Sequence, residues 1–166
     1  MDIEIQRQTF ISLYNTWSVK IFRLCMGYVN DEETANDMVQ DCFLKVWQHL
    51  PTFRNEAGYN TWIYRIAVNT CLTYLKKDKK TGLDVLETDV PETDNRQQQL
   101  EEEIKLLYEC IGKLKDADKL IISMVLEDMS YKEIGDTLGI TENSIGVKVF
   151  RIKKQLMNLI DRNERF

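Results

Sequence analysis

Residues Ser130 to Leu156 read SYKEIGDTLGITENSIGVKVFRIKKQL, two short helical segments joined by a glycine turn. Ser130 with Glu133 three residues later forms a capping box, in which each side chain satisfies an orphan backbone donor at a helix start. Ile134 and Leu138 share one face of that helix, and Gly139 supplies the left-handed residue expected just past its end. Thr141 is placed to cap a second helix opening at Glu142. On the second helix Ile145, Val149 and Ile152 stand three or four apart and point inward, leaving Glu142, Asn143, Ser144, Val147, Lys148, Arg151 and Lys154 on other faces. Polar tips near such a helix start reach base edges in a major groove, and cations further along neutralise phosphates, so the stretch reads as a helix-turn-helix DNA reader. A solvated helical hairpin ending an all-α domain would need only part of this pattern.

Outward from the motif, apolar periodicity predicts more helices and no strands. Phe10, Leu13, Tyr14, Trp17, Ile21, Leu24 and Cys25 define a first helix from Gln8 to about Gly27. Asp31 caps a second, running to about Leu50, whose apolar side carries Ala35, Met38, Val39, Cys42, Phe43, Val46 and Trp47; Pro51 stops it. After a polar loop to Asn60, Thr61 is expected to cap a third helix, which carries Ile63, Ile66, Ala67 and Cys71 and ends in a lysine cluster. The stretch from Lys79 to about Arg96 is acidic with little periodicity and reads as a linker. Helical spacing resumes near Leu100. The expectation is an all-α chain of two small helical domains, 1–78 and 100–166, joined by an acidic flexible linker, 79–99.

Composition bounds the function. The chain has 166 residues, 43% of them hydrophobic, enough for real cores. There is no apolar run near the roughly 20 residues that span a bilayer, and the start, MDIEIQRQTF, lacks the layout of a signal peptide, so the cytoplasm is the expected location. Cys25, Cys42, Cys71 and Cys110 are far apart, and His49 is the single histidine, so no zinc-ligand set, cofactor site or nucleophile–base pair is expected. The formal net charge of -5 disfavours tight binding of naked duplex, but the charges are segregated. Acids crowd into Asp84 to Glu103, while Lys76, Lys77, Lys79 and Lys80 form one basic cluster and Lys148 to Lys154 another.

With these residues in place, the chain resembles the extracytoplasmic-function sigma factors of bacterial RNA polymerase, members of the sigma-70 family. Region 2 is matched by DMVQDCFLKVW (Asp37 to Trp47), TFR (Thr52 to Arg54) and TWIYRIAVNTCLTYLKK (Thr61 to Lys77), and region 4 by the stretch from Ile111 through the helix-turn-helix. The resemblance implies a transcription initiation factor, not an enzyme, that needs no cofactor, binds core RNA polymerase and recognises minus-10 and minus-35 promoter elements. It implies that Asp37, Gln40 and Asp41 dock on the polymerase. It places Arg54, Tyr59, Arg65, Asn69, Lys76 and Lys77 on minus-10 DNA, where a base is unstacked and captured by hydrogen-bonding and aromatic groups. Glu142, Asn143, Ser144, Val147 and Lys148 then lie nearest the minus-35 bases, with Arg151 and Lys154 on phosphates.

The chain departs from the family pattern at Gly135 and Gly146, where alanine and a basic or polar residue are usual, and at Lys148, where arginine is usual. Lysine lacks arginine's bidentate fork to guanine. Gly146 is expected to weaken the helix and to leave a gap on its reading face. The free protein is expected to be a monomer, silenced by an anti-sigma partner. A stand-alone dimeric helix-turn-helix regulator remains the alternative reading, though it gives Asn69 and the basic end of the third helix no task.

Overall fold

The computed structural model describes residues 1–78 and 95–164, apart from the side chains of residues 75, 77 and 78. The described elements are all helical: α1 (Ile3–Val29), α2 (Glu32–His49), a 3-10 turn (Leu50–Thr52), α3 (Gly58–Asp78), α4 (Asn95–Gly112), α5 (Asp116–Leu126), α6 (Tyr131–Leu138) and α7 (Glu142–Glu164). The expected linker falls mostly on residues 79–94, outside the described residues. Its last five expected positions, 95–99, are the first turn of α4.

The helix ends follow local chemistry. The Asp31 carboxylate accepts from Thr34 N at 2.9 Å and opens α2. Asn30 closes α1 in the left-handed region at φ 50°, which asparagine tolerates better than most residues. Thr61 does not cap α3. The helix begins three residues earlier, at a left-handed Gly58 (φ 72°), and Thr61 is buried inside its first turn.

The N-terminal core gathers Ile21, Leu24 and Cys25 of α1, Met38, Cys42 and Val46 of α2, and Ile63, Tyr64, Ala67 and Cys71 of α3, all essentially inaccessible. Each large aliphatic side chain so buried contributes about 1.5–3 kcal/mol. The four cysteines are free and buried. Burial pushes the Cys42 thiol up to about 12, and a hydrogen bond with Cys25, then burial, raises Cys71, so these are unreactive core thiols. In the C-terminal half Ile111, Ile121, Met124, Ile134, Ile145 and Ile152 form the corresponding core. The two cores are continuous, because α5 and α4 pack on α1, and α6 packs on α3.

Two glycines of the helix-turn-helix differ in what they permit. A Cβ on Gly135 would stand 2.6 Å from the Ile140 carbonyl oxygen and 3.4 Å from Glu142 N, so the turn closes against bare backbone there. A Cβ on Gly146 would meet only the Tyr131 ring, at 3.7 Å, an ordinary contact. Position 146 therefore lies beside Tyr131 of α6, with room for a small side chain. Gly135→Ala should lower stability by about 1–3 kcal/mol, the usual cost of overpacking, and Gly146→Ala should raise it by up to about 1 kcal/mol through helix propensity. Paired chemical denaturation curves read both changes.

Candidate nucleic-acid and polymerase interfaces

On α2 the positions 37, 40, 41 and 44 recur at three and four residues, and they form one exposed stripe. Asp37 and Asp41 sit one turn apart as like charges, with Gln40 beside them. Leu44 extends the stripe as a side chain 56% exposed, at the lip of a groove of about 250 Å³ lined also by Met38, Asp41, Lys45, Gln48, Thr70 and Tyr74. Lys45 Nζ donates to Thr70 Oγ1 at 3.1 Å and fixes the floor between α2 and α3. Leu44 was legible as the apolar residue that follows Asp37, Gln40 and Asp41 at helical spacing on a polar face, but sequence reasoning left it out.

A second groove, about 330 Å³, lies between the end of α2 and the start of α3 and is lined by His49, Thr52, Phe53, Arg54, Asn55, Glu56, Ala57, Trp62 and Arg65. It brings together a planar aromatic wall, two guanidinium groups and an open polar loop. Phe53 stacks on Tyr59 (ring centroids 4.6 Å apart) and packs tilted against Trp62 (4.5 Å), the three rings forming a cluster. Tyr59 belongs to α3 rather than to the loop, and it backs the stack without lining the groove; Phe53 and Trp62 form the wall. Asn69 lies one helical turn beyond Arg65 on the same exposed face of α3 and outside the groove, and Lys76 is exposed further along. The Lys77 side chain lies outside the described residues.

Arg65 is already engaged. Its Nε and Nη2 donate to the Asp136 carbonyl at 3.2 and 2.6 Å, which joins α3 to α6. A chain of hydrogen bonds runs beside it: Trp17 Nε1 donates to Asn60 Oδ1 (3.0 Å), Asn60 Nδ2 donates to Glu133 Oε1 (3.1 Å), and Ser130 N donates to Glu133 Oε2 (2.8 Å). Glu133 thus completes the predicted capping box and also receives an amide from the N-terminal half.

In α7 the predicted apolar face is buried, with Ile145 and Ile152 at 0% exposure and Val149 at 1%. Glu142, Asn143, Val147, Arg151 and Lys154 are exposed, and Ser144 and Lys148 are half-buried. The N-terminal cap is Thr141, whose Oγ1 accepts from Ser144 N at 3.2 Å and donates to Ser144 Oγ at 2.9 Å, so the Ser144 hydroxyl is oriented by the cap. Arg151 Nη2 stands 3.9 Å from the nearly buried Asp118 carboxylate, and Lys154 Nζ sits 5.7 Å from the centre of the Phe150 ring. These contacts hold the cations on the outer surface of α7. The helix start thus presents short polar groups and its middle presents positive charge.

Comparison with known proteins decides what this arrangement is. Residues 13–81 match sigma-70 region 2 and residues 104–156 match sigma-70 region 4. The chain belongs to the sigma-70 family, in its extracytoplasmic-function branch. The extracytoplasmic-function RNA polymerase sigma-E factor of Haemophilus influenzae is 26% identical over 93% of this chain and 88% of its own length. The RNA polymerase sigma factor YlaC of Bacillus subtilis is 28% identical over 90% of this chain and 91% of its own. The fold is also that of the sigma factor RpoE in complex with the anti-sigma factor NepR from Bartonella quintana (TM-score 0.76, 16% identity, 93% of this chain and 98% of that one). CnrH in complex with the cytosolic domain of CnrY shares it too (TM-score 0.69, 20% identity, 94% and 90% covered). As a sigma factor the protein is a transcription initiation factor and not an enzyme, which sets aside the stand-alone regulator. No described helix is long and apolar enough to cross a membrane.

The Glu133 carboxyl is held below its ordinary value of 4.5, chiefly by the backbone hydrogen bond from Ser130, with Ser130 and Asn60 side chains adding to it. A depressed folded-state value means that its stabilisation is whole above the ordinary carboxylate range and is lost as the pH falls through the lowered value. Glu133→Gln should therefore flatten the acid limb of a plot of Tm against pH from 7 to 3, with little difference in slope above pH 6.

Proposed function

We propose that this sigma factor docks on core RNA polymerase through the α2 stripe, reads a minus-10 element with the α2–α3 groove and α3, and reads a minus-35 element with α7. The observation that carries the proposal is the presence, in one chain matching regions 2 and 4 in order, of two DNA-type surfaces of different chemistry. One is an aromatic-walled groove beside two arginines, and the other is a capped helix with a polar start and a basic middle.

The chemistry of each surface fits its task. Unstacking a base costs a few kcal/mol, which an aromatic wall and guanidinium donors repay by stacking and hydrogen bonding. Phe53 and Trp62 provide the wall and Arg54 and Arg65 the donors, and Asn69 offers both a donor and an acceptor to the exposed strand. On the polymerase side, Asp37, Gln40 and Asp41 pair with basic and amide groups, and Leu44 supplies the apolar anchor that interfaces place among polar groups. On the duplex, Lys148 acts as a point charge near the bases, and Arg151 and Lys154 follow phosphates. The neighbours' anti-sigma complexes support a similar partner for this chain, and work on polymerase and promoter places it in the cytoplasm.

Two variants separate the surfaces. Asn69→Ala should reduce permanganate-detected promoter opening by tenfold or more while co-purification with core polymerase stays within twofold of wild type. Leu44→Asp should do the reverse in order of cause, lowering polymerase co-purification tenfold and opening with it. Unchanged opening by Asn69→Ala removes that residue from the site, and unchanged polymerase capture by Leu44→Asp removes the stripe.

A further inference from the structure

The outer face of α3 carries one side chain that the surfaces described above leave without a task. At about 100° per residue, Arg65, Asn69, Leu72 and Lys76 fall within a sector of about 60°, opposite the buried face made by Ile63, Tyr64, Ala67 and Cys71. All four are exposed, and Leu72, at 40%, is the large apolar one. Ile66 and Tyr74 turn partly inward and pack on the core, which Leu72 does not join. Nor does Leu72 border the groove between α2 and α3, whose α3 wall is Thr70, Thr73 and Tyr74. A lone exposed leucine is ordinary on a protein surface. A leucine centred in a stripe of arginine, asparagine and lysine is a different case, because each neighbour along the stripe is of a type that bonds to bases or phosphates.

Given the minus-10 reading above, on which this rests, we propose that Leu72 is a specificity residue that seats its side chain on the C5-methyl group of a thymine, one base step from the nucleotide that Asn69 contacts. The helix axis supplies the spacing. At about 1.5 Å of rise per residue, Leu72 lies about 4.5 Å beyond Asn69 on the side away from the aromatic-walled groove, against about 3.4 Å per base step. Lys76 lies about 6 Å further, within reach of the phosphates that follow. A base-reading amide and a phosphate-binding cation thus bracket Leu72 and limit which nucleotide it can touch. Thymine presents a methyl group on its major-groove edge, and apolar side chains recognise it by contact. Leucine donates and accepts nothing, so it reads no hydrogen-bond pattern; it separates thymine from bases that lack the methyl. A polymerase surface is the other partner that an exposed leucine could serve, and Leu44 on α2 has that setting, beside carboxylates. The cations that flank Leu72 point to a polyanion instead.

Removing the methyl alone tests the contact. Promoters recovered by transcript mapping are remade with each thymine of the minus-10 element replaced singly by deoxyuridine, which keeps the base pairing and deletes the methyl group. Run-off yield is then measured with core polymerase and the full-length protein. With wild type, deoxyuridine at one position should lower the yield about fourfold, the effect of losing one methyl-sized apolar contact. Leu72→Ala should lower the yield on the parent promoter by a similar factor and be insensitive to deoxyuridine at that position, while Leu72→Met keeps the sensitivity. Co-purification of Leu72→Ala with core polymerase should stay within about twofold of wild type. A loss of about tenfold there assigns Leu72 to the polymerase surface and overturns the proposal. Equal deoxyuridine sensitivity in wild type and Leu72→Ala, the absence of any sensitive position in wild type, or mapped elements without thymine at that step overturn it as well. These outcomes leave the minus-10 reading standing, which fails on a different result: scrambling the whole element with no change in wild-type yield.

Discussion

The eight-residue helix α6 is the element on which the arrangement turns. On one side Gly135 lets the following turn close against the Ile140 carbonyl, which fixes the angle at which α7 leaves and hence what α7 presents to solvent. On the other side its cap residue Glu133 and its Asp136 carbonyl take hydrogen bonds from Asn60 and Arg65 of α3. A helix this short has little stability of its own. It persists because the capping box satisfies its first donors, because Ile134 is fully buried, and because both neighbours pack on it. The same eight residues thus set the direction of α7 and engage Asn60 and Arg65 at the start of α3.

Charge works with this arrangement rather than against it. A net charge of -5 spread evenly would repel duplex, but the cations that matter are held in place by specific neighbours: Arg151 by Asp118, Lys154 over Phe150, Arg65 by the Asp136 carbonyl. Each contact leaves its cation largely exposed or loosely held: the Arg151–Asp118 pair spans 3.9 Å and Lys154 sits 5.7 Å from the ring centre. Such contacts orient a side chain without holding it so tightly that a phosphate cannot replace the partner. Under the proposed function, most of the affinity for promoter DNA comes through the polymerase.

Local chemistry was the legible part of the sequence. Ser130 with Glu133, Gly139 and Thr141 marked the helix ends of the helix-turn-helix because caps act over three or four residues, and Ile145, Val149 and Ile152 marked its buried face because the helical period is fixed. The start of α4 was missed because Asn95 to Gln99 are polar and carry no periodicity, although glutamine and arginine are good helix formers. The residue type of Thr61 suggests a cap, whereas Gly58 starts the helix through a left-handed backbone that sequence does not display. Tyr59 was assigned to a loop and lies in a helix, backing Phe53; its register depended on that same boundary. The packing of α1 on α5 was beyond reach for a different reason. Nothing around Gly27 or Ser123 marks either as an interface residue, and their meeting depends on the packing of helices nearly a hundred residues apart.

Run-off transcription from fragmented genomic DNA of the source organism, using bacterial core polymerase with and without this protein and mapping the transcript starts, tests the sigma function most directly. Discrete starts that depend on the protein and share sequence about 10 and 35 base pairs upstream are expected. A core enzyme active with another sigma factor that gives no such starts with this one would contradict it.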